Sequence, residues 1–461
     1  MNRQMAHAVR SGWVAPQFAG SSGDNPQVSA VSRFRDDVWD FSNENNNPAR
    51  ARAAKKICWS FRTPNGSLFT DPQFRSLLTA LKQFIYALRW HPVDSAPLAA
   101  DTLPNIFLHA KRFVDHLLGY PAPILRFKDV LPHHCEDYIR DLLSSRLSVG
   151  YKYHCLSILE KLAFYRRVMR DGLAVDPLKG ERAYEIVGYD HASRLETQTE
   201  IIPDEILRPL VRASLEYVDR FADYLLDACE AVEDIRKRRY GFMRRSRRCV
   251  HEHDPADYGL NGTRFENGLA SVSHLNSELC YLQTACFVLI AFATGMRLSE
   301  VLSLQAGCCE IQKEPGQADL VWLHSRVFKM EGVPEGRRAK WLGGPVCAKA
   351  VRVLERLGQR MRRRVGAGYL WLPIPAVKKP RGRAPFTGQA IRTRLKSFVA
   401  MLGLKDSRGR IFRIHPHMFR RTFARHVVRY DTTNLMALKE HFKHVSLSTT
   451  ITSAVIWNCG H

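Results

Sequence analysis

Apolar residues recur at three- and four-residue spacing through most of this chain. Phe74, Leu77, Leu78, Leu81, Phe84, Ile85 and Leu88 form one such stripe, the pattern of a helix with a single buried face. Asp71-Pro72 just before it supplies a cap and a first turn. The same period predicts helices over 102–118, 133–143 and 149–171, the last closed by Gly172 as a C-cap. Asp176-Pro177 breaks the pattern and a polar linker runs to about Thr199. Helix restarts at Ile202-Pro203-Asp204, with Leu207, Leu210, Val211, Leu215 and Val218 in helical register. Beyond residue 271 a further helix is expected. Its most apolar part, Cys280–Ala293, is short and holds Gln283 and Thr284, so it reads as a buried helix and not as a membrane span, and no membrane partner is expected.

The period then changes. Leu320-Val321-Trp322-Leu323-His324-Ser325-Arg326-Val327-Phe328-Lys329 alternates as a strand does. Gly332 to Gly336 makes a turn, and Ala339-Lys340-Trp341-Leu342 makes the return strand. Helical spacing resumes over 346–364, 387–402 and 416–429. The chain therefore reads as mainly α with a small β-hairpin or sheet. Residues 1–65, rich in Gly, Asn, Ser and Pro, read as a flexible N-terminal arm whose basic end, Arg50 to Lys56, is suited to phosphates. Residues 66–190 read as a helical domain. Residues 196–461 read as an α+β domain with a basic insertion at about 233–270, in which Arg236 to Arg248 holds eight basic residues.

Composition sharpens this picture in two ways. A length of 461 residues calls for two or three domains, and a net charge of +24 calls for a polyanionic partner, of which nucleic acid is the usual one. The helix face carrying Lys161, Arg166, Arg167 and Arg170 is placed to lie along a duplex, as is Arg421 in the later helix; each is otherwise a solvated surface charge. Eleven scattered cysteines without a CxxC pair fit a reducing compartment, and with no apolar signal core near the N-terminus the cytoplasm is expected. Cys249-Val250-His251-Glu252-His253 has ligand types but no second half at zinc spacing, so no metal site is expected.

Four weak chemical signals remain. Arg297 follows a helix-ending Gly295 and opens a new helix at Leu298-Ser299-Glu300, a good place to meet an anion, although an Arg paired with Glu300 is the ordinary alternative. His417 and Arg420, three apart on a helix, share a face. Lys329 sits at the end of a strand before a turn, and His444 precedes Ser446-Leu447-Ser448-Thr449-Thr450.

In their order along the chain these signals resemble the tyrosine recombinase (phage integrase) family. Ala293-Thr294-Gly295-Met296-Arg297-Leu298-Ser299-Glu300 is similar to that family's first box. Pro416-His417-Met418-Phe419-Arg420-Arg421-Thr422-Phe423-Ala424 is similar to its second, and His441 to Thr450 to the segment before the nucleophile. The resemblance implies a helical core-binding domain at 66–190 and a catalytic domain at 196–461. It implies DNA strand breaking and rejoining through a covalent protein–DNA link, with no metal or other cofactor. Double-stranded DNA would be the partner, bound by a tetramer on paired sites in association with the nucleoid. Arg297 and Arg420 would hold the non-bridging oxygens, Lys329 would protonate the leaving 5′-oxygen, His417 would accept the nucleophile's proton and His444 would hydrogen-bond the phosphate.

One member of the set is absent. The family's tyrosine falls nine positions after His444, where this chain has Ser453. No tyrosine follows Tyr430, and Tyr430 stands too early, on the helix of Arg420. Ser453 is shorter in reach and far harder to deprotonate than a phenol of pKa about 10. The expectation is a recombinase scaffold that binds DNA and does not cut it, either a degenerate recombinase or a DNA-binding protein that occupies recombination sites. The irregular tail Ala454 to His461 also admits a frameshifted ending. A helical RNA- or polyanion-binding protein is the third reading, and it has no use for Arg297 or Arg420.

Overall fold

In the computed structural model the described residues are 25–44, 47–49, 55–93, 97–189, 200–237, 253–313, 319–328, 335–366, 368–374, 386–430 and 435–443. They fall into two compact units, one drawn from 1–46 and 52–198, the other from 47–51 and 199–461.

In the first unit the helical spacing becomes α1 (Arg75–Trp90), α2 (Leu103–Leu118), α3 (Pro132–Ser144) and α4 (Val149–Phe164). Each turns its apolar stripe inward, with Leu77, Leu81, Phe84, Phe107, Phe113, Leu156 and Leu159 in one core. Burying a side chain of this size contributes about 1.5–3 kcal/mol. The described part of the N-terminal segment differs from the loose arm expected of it. Strands β1 (Val38–Asp40) and β2 (Lys56–Cys58) pair antiparallel. Trp39, Phe41, Ile57 and Trp59 are buried in the helical core, the two indoles edge to face at 4.9 Å. Four large side chains outweigh the polar composition around them. Lys82 on α1 is buried there too: its ammonium donates to the carbonyls of Arg35 and Asp36 and lies over the Trp59 ring.

The helix expected over 149–171 ends early, at Phe164, and becomes a 3-10 turn, Tyr165–Val168. Two anchors pull the chain out of helix. The Tyr165 hydroxyl accepts from the Val93 N–H, and the Asp171 carboxylate accepts from the backbone of Phe127 and Lys128 and from the Ser76 hydroxyl. Lys161 therefore sits on α4, while Arg166, Arg167 and Arg170 lie exposed on the turn and the loop after it, so no single helix face carries all four.

The second unit is built around one long helix. Its elements are α5 (Asp204–Glu216), α6 (Ala222–Lys237), α7 (Val272–Thr294), α8 (Leu298–Leu302), β3 (Cys309–Gln312), β4 (Leu320–Val327), β5 (Arg337–Gly343), α9 (Pro345–Val365), α10 (Gly388–Met401), α11 (Pro416–Tyr430) and α12 (Leu435–His441). Helix α7 runs longer than Cys280–Ala293. By length and composition it is apolar enough to cross a bilayer, yet 72% of that stretch is buried inside the unit. It packs on α5, α6, α9, α10 and α11, and its two polar interruptions are satisfied: Gln283 donates to the Leu372 carbonyl and Thr284 to that of Cys280.

The hairpin is part of a three-stranded antiparallel sheet in the order β3-β4-β5, with Leu323 opposite Trp341 and His324 opposite Lys340. Strand β3 was not visible in the periodicity, because it is an edge strand of four mostly exposed residues. The charge run Arg236 to Arg248 begins at the end of α6, and from residue 238 on it lies outside the described residues.

Candidate active site

The site forms where α7 ends. Gly295 has φ +60° and closes α7 by donating to the Ala291 carbonyl. The left-handed turn sends Met296 into the core and leaves Arg297 as the residue that opens α8. Glu300, one turn on, reaches back: one carboxylate oxygen accepts from the Arg297 backbone N–H and the other from its Nη1, both at 2.6 Å. The ordinary partner weighed for Arg297 is therefore present, but this is not a surface pair. Glu300 is buried and Arg297 half-buried.

Helix α11 brings the second arginine. Met418, Phe419 and Thr422 point inward, Thr422 accepting from the Ile202 N–H, and Arg420 between them is 1% exposed. Its Nη1 donates to the Gly295 carbonyl at 2.8 Å and its Nη2 to the Phe442 carbonyl at 2.9 Å. The guanidinium lies over the Phe442 ring at 3.7 Å, and a Glu300 oxygen stands 3.9 Å away. Arg297 Nη1 also donates to the Phe442 carbonyl, at 3.3 Å. Two arginines more than a hundred positions apart thus meet at one carbonyl oxygen, with one buried carboxylate between them. Burial, and then the Arg297 charge, push the Arg420 guanidinium below its usual value, against the pull of Glu300. Among the described residues Arg297 Nε and Nη2 make no hydrogen bond. Two cations held by one anion and a dipole leave an excess of positive charge in a partly dry place, which a phosphate would neutralise.

His417 lies exposed on the first turn of α11 and Arg421 is half-buried on the next. Lys329, His444 and Ser453 lie outside the described residues, as does the side chain of Tyr430. Sequence reasoning passed over three members of this site. Glu300 was seen only as a surface partner, although its three-residue spacing from Arg297 is a capping signal. The Phe442 carbonyl has no side-chain signature at all. His441, on α12, was not singled out: its Nε2 donates to the Thr294 carbonyl at 2.7 Å and its ring stacks on Phe423.

Two tests of this geometry follow. A Cβ on Gly295 would come within 2.8 Å of ring carbons of both Phe423 and Phe442. Gly295→Ala is expected to cost about 2–4 kcal/mol, from a strained φ and overpacking together, read as a lower urea midpoint. The second test is pH. Burial lowers the His441 pKa, opposed by the Thr294 hydrogen bond and reinforced by Lys443 and Arg420. An unfolded His takes up a proton near pH 6.5, where the folded one does not. The unfolded state therefore binds more protons in the window just below 6.5, and stability falls there on acidification. Melting temperature should be flat above that pH and decline below it, and His441→Gln should flatten part of the decline.

The comparisons agree with this region. Residues 269–453 match the family model described as phage integrase family. The tyrosine recombinase XerC of Pseudomonas putida KT2440 is 25% identical over 223 residues, 46% of this chain and 63% of that protein. XerC of Bacillus pumilus SAFR-032 is 30% identical over 186 residues, 40% of this chain and 52% of that protein. The chain thus aligns with somewhat under two thirds of the length of these curated relatives. Among solved structures, XerH recombinase bound to palindromic difH substrate in a post-cleavage complex is 12% identical, with TM-score 0.47, covering 85% of this chain and 95% of that one. The Tn1549 transposon integrase in complex with transposon right end DNA is 11% identical, with TM-score 0.38, covering 82% and 95%. Residues 269–453 of this chain are thus similar in sequence to the phage integrase family.

Proposed function

We propose that this protein binds duplex DNA at recombination sites and holds one phosphodiester in the manner of a site-specific recombinase, without cutting it. The observation that carries the reading is the convergence of Arg297 and Arg420 on the Phe442 carbonyl, inside the segment that matches the integrase family. Arg297 has Nε and Nη2 left to donate to a non-bridging oxygen, the buried Arg420 adds its positive charge behind them, and one preorganised donor of this kind is worth about 2.7–4 kcal/mol of barrier. His417 would accept the nucleophile's proton, Lys329 would protonate the leaving 5′-oxygen and His444 would hydrogen-bond the phosphate. Chemistry stops at Ser453, which stands at the nucleophile position. No step in this scheme needs a metal or cofactor. Lys161, Arg166, Arg167, Arg170 and Arg421 would touch the backbone of the duplex, a tetramer would pair two sites, and the nucleoid in the cytoplasm would be the place of action.

The alternative is a DNA-binding protein that occupies such sites and has no further use for the cage; Ser453 is the observation that favours it. Selection of bound duplexes from a randomised pool, followed by gel-shift titration, tests the common part. Sequence-selective binding that weakens about tenfold or more in Arg297→Ala is expected, since a charge-assisted contact is worth about 1.5–3 kcal/mol. Binding indifferent to both arginines would overturn the reading and favour a general polyanion binder.

A further inference from the structure

Lys443 follows Phe442 directly, and so begins at the carbonyl on which both arginines converge. Its backbone has φ +54°; among the described non-glycine residues only Lys179 shares that region. A long side chain at a left-handed position is strained, and such strain persists where the surroundings demand it. The side chain is half-buried and turns toward the sheet, its ammonium 5.6 Å from the Trp341 ring. Trp341 and Arg337 lie on one face of β5, so Arg337 is on the same side as Lys443.

Among the described residues Lys443 makes no ion pair. The charges that act on it are Arg337 and Lys340, of like sign, and Glu300 and Glu440, of opposite sign. Glu300 is already engaged by Arg297, and its other neighbour is Arg420. A strained and partly desolvated ammonium, with no ion pair among the described residues and one residue on from the carbonyl that two arginines share, is a poor choice for stability. It is a good choice for binding an anion that spans all three.

We propose that Lys443 is a third phosphate-binding cation of this site, extending the arginine pair toward Arg337 so that the protein grips the DNA phosphate from the sheet side as well. This rests on the DNA-binding reading above. No acid–base step is assigned to Lys443; it contacts and holds the phosphodiester backbone.

The test is the salt dependence of duplex binding by the full chain, using the duplex selected from the randomised pool. Each phosphate contact contributes about 0.9 to the slope of log affinity against log salt. Lys443→Gly relieves the backbone strain while removing the charge, Lys443→Met removes the charge alone, and Lys443→Arg keeps it. Expected are slopes shallower by about 0.9 in the Gly and Met variants and a wild-type slope in the Arg variant. The Gly variant should melt no lower than wild type, which separates a lost contact from a lost fold. An unchanged slope in Gly and Met variants, with Arg297→Ala still shallower, would overturn the assignment and leave the DNA reading standing. Absence of duplex binding by wild type would sink both.

Discussion

Ser453→Tyr is expected to turn a chain that forms no covalent link with DNA into one that does. Incubation with a nicked suicide duplex carrying the selected site, followed by denaturing electrophoresis, should show no shifted band for wild type and a clear one for the variant. The reason is chemical before it is geometric. The serine alkoxide is much more basic than a phenolate, whose parent phenol ionises near pH 10. It is therefore both a rarer nucleophile and a poorer leaving group when the strand is rejoined. Reach adds to this: a nucleophile displaced by about 1 Å costs on the order of a hundredfold, and a serine lacks the whole length of a ring. A gain of roughly a hundredfold or more in adduct is the expected scale. The adduct should vanish when Arg420→Ala is added to Ser453→Tyr. A variant that binds the duplex as wild type does, yet forms no adduct, would show that the lesion lies beyond the nucleophile, and would favour a protein whose role is occupancy.

Arg420→Ala carries the second large effect, on stability. The guanidinium is buried, satisfies the Gly295 and Phe442 carbonyls, covers the Phe442 ring and offsets the buried Glu300 charge. Its removal leaves a cavity, an orphaned carbonyl at Gly295 and a buried carboxylate with Arg297 alone as counter-ion. Breaking a buried charged arrangement of this kind costs about 3–5 kcal/mol. For a unit of this size that corresponds to a loss on the order of 10 °C in melting temperature, observable by differential scanning fluorimetry. Arg420→Lys keeps the charge but cannot span two carbonyls, so an intermediate loss is expected. A melting temperature unchanged in Arg420→Ala would mean that the tie from α11 to the end of α7 and the residue after α12 contributes little. Because the residue is also proposed to serve the phosphate, loss of function in this variant must be judged at a temperature where it is folded. Arg297→Ala, at a half-buried position, separates the two roles better.

Helices α1 to α3, α5, α7 and α9 to α11 were legible because the buried face of each repeats at its own period, whereas α6 and α12 were not read as helices. The places where this reasoning failed are places where a distant contact overrides local pattern. Helix α4 ends at Phe164 because Asp171 is held by the backbone of Phe127 and Lys128. The segment around Trp39 and Trp59 folds into the first core although its neighbours are polar. Strand β3 shows no alternation because it has no buried face of its own.

The site divides along the same line. Arg297, His417 and Arg420 were recognisable because they stand in motifs with characteristic neighbours, and the serine at position 453 is a property of the sequence that no fold can alter. That Arg297 and Arg420 share the Phe442 carbonyl, that Glu300 is buried between them and that Lys443 is strained beside them were decided only by tertiary structure. These facts depend on backbone carbonyls and on the left-handed turn at Gly295, which bring the ends of α7 and α12 against α11. Side-chain chemistry is written residue by residue along a chain. The meeting point of three chain segments is set by packing, which no single segment contains.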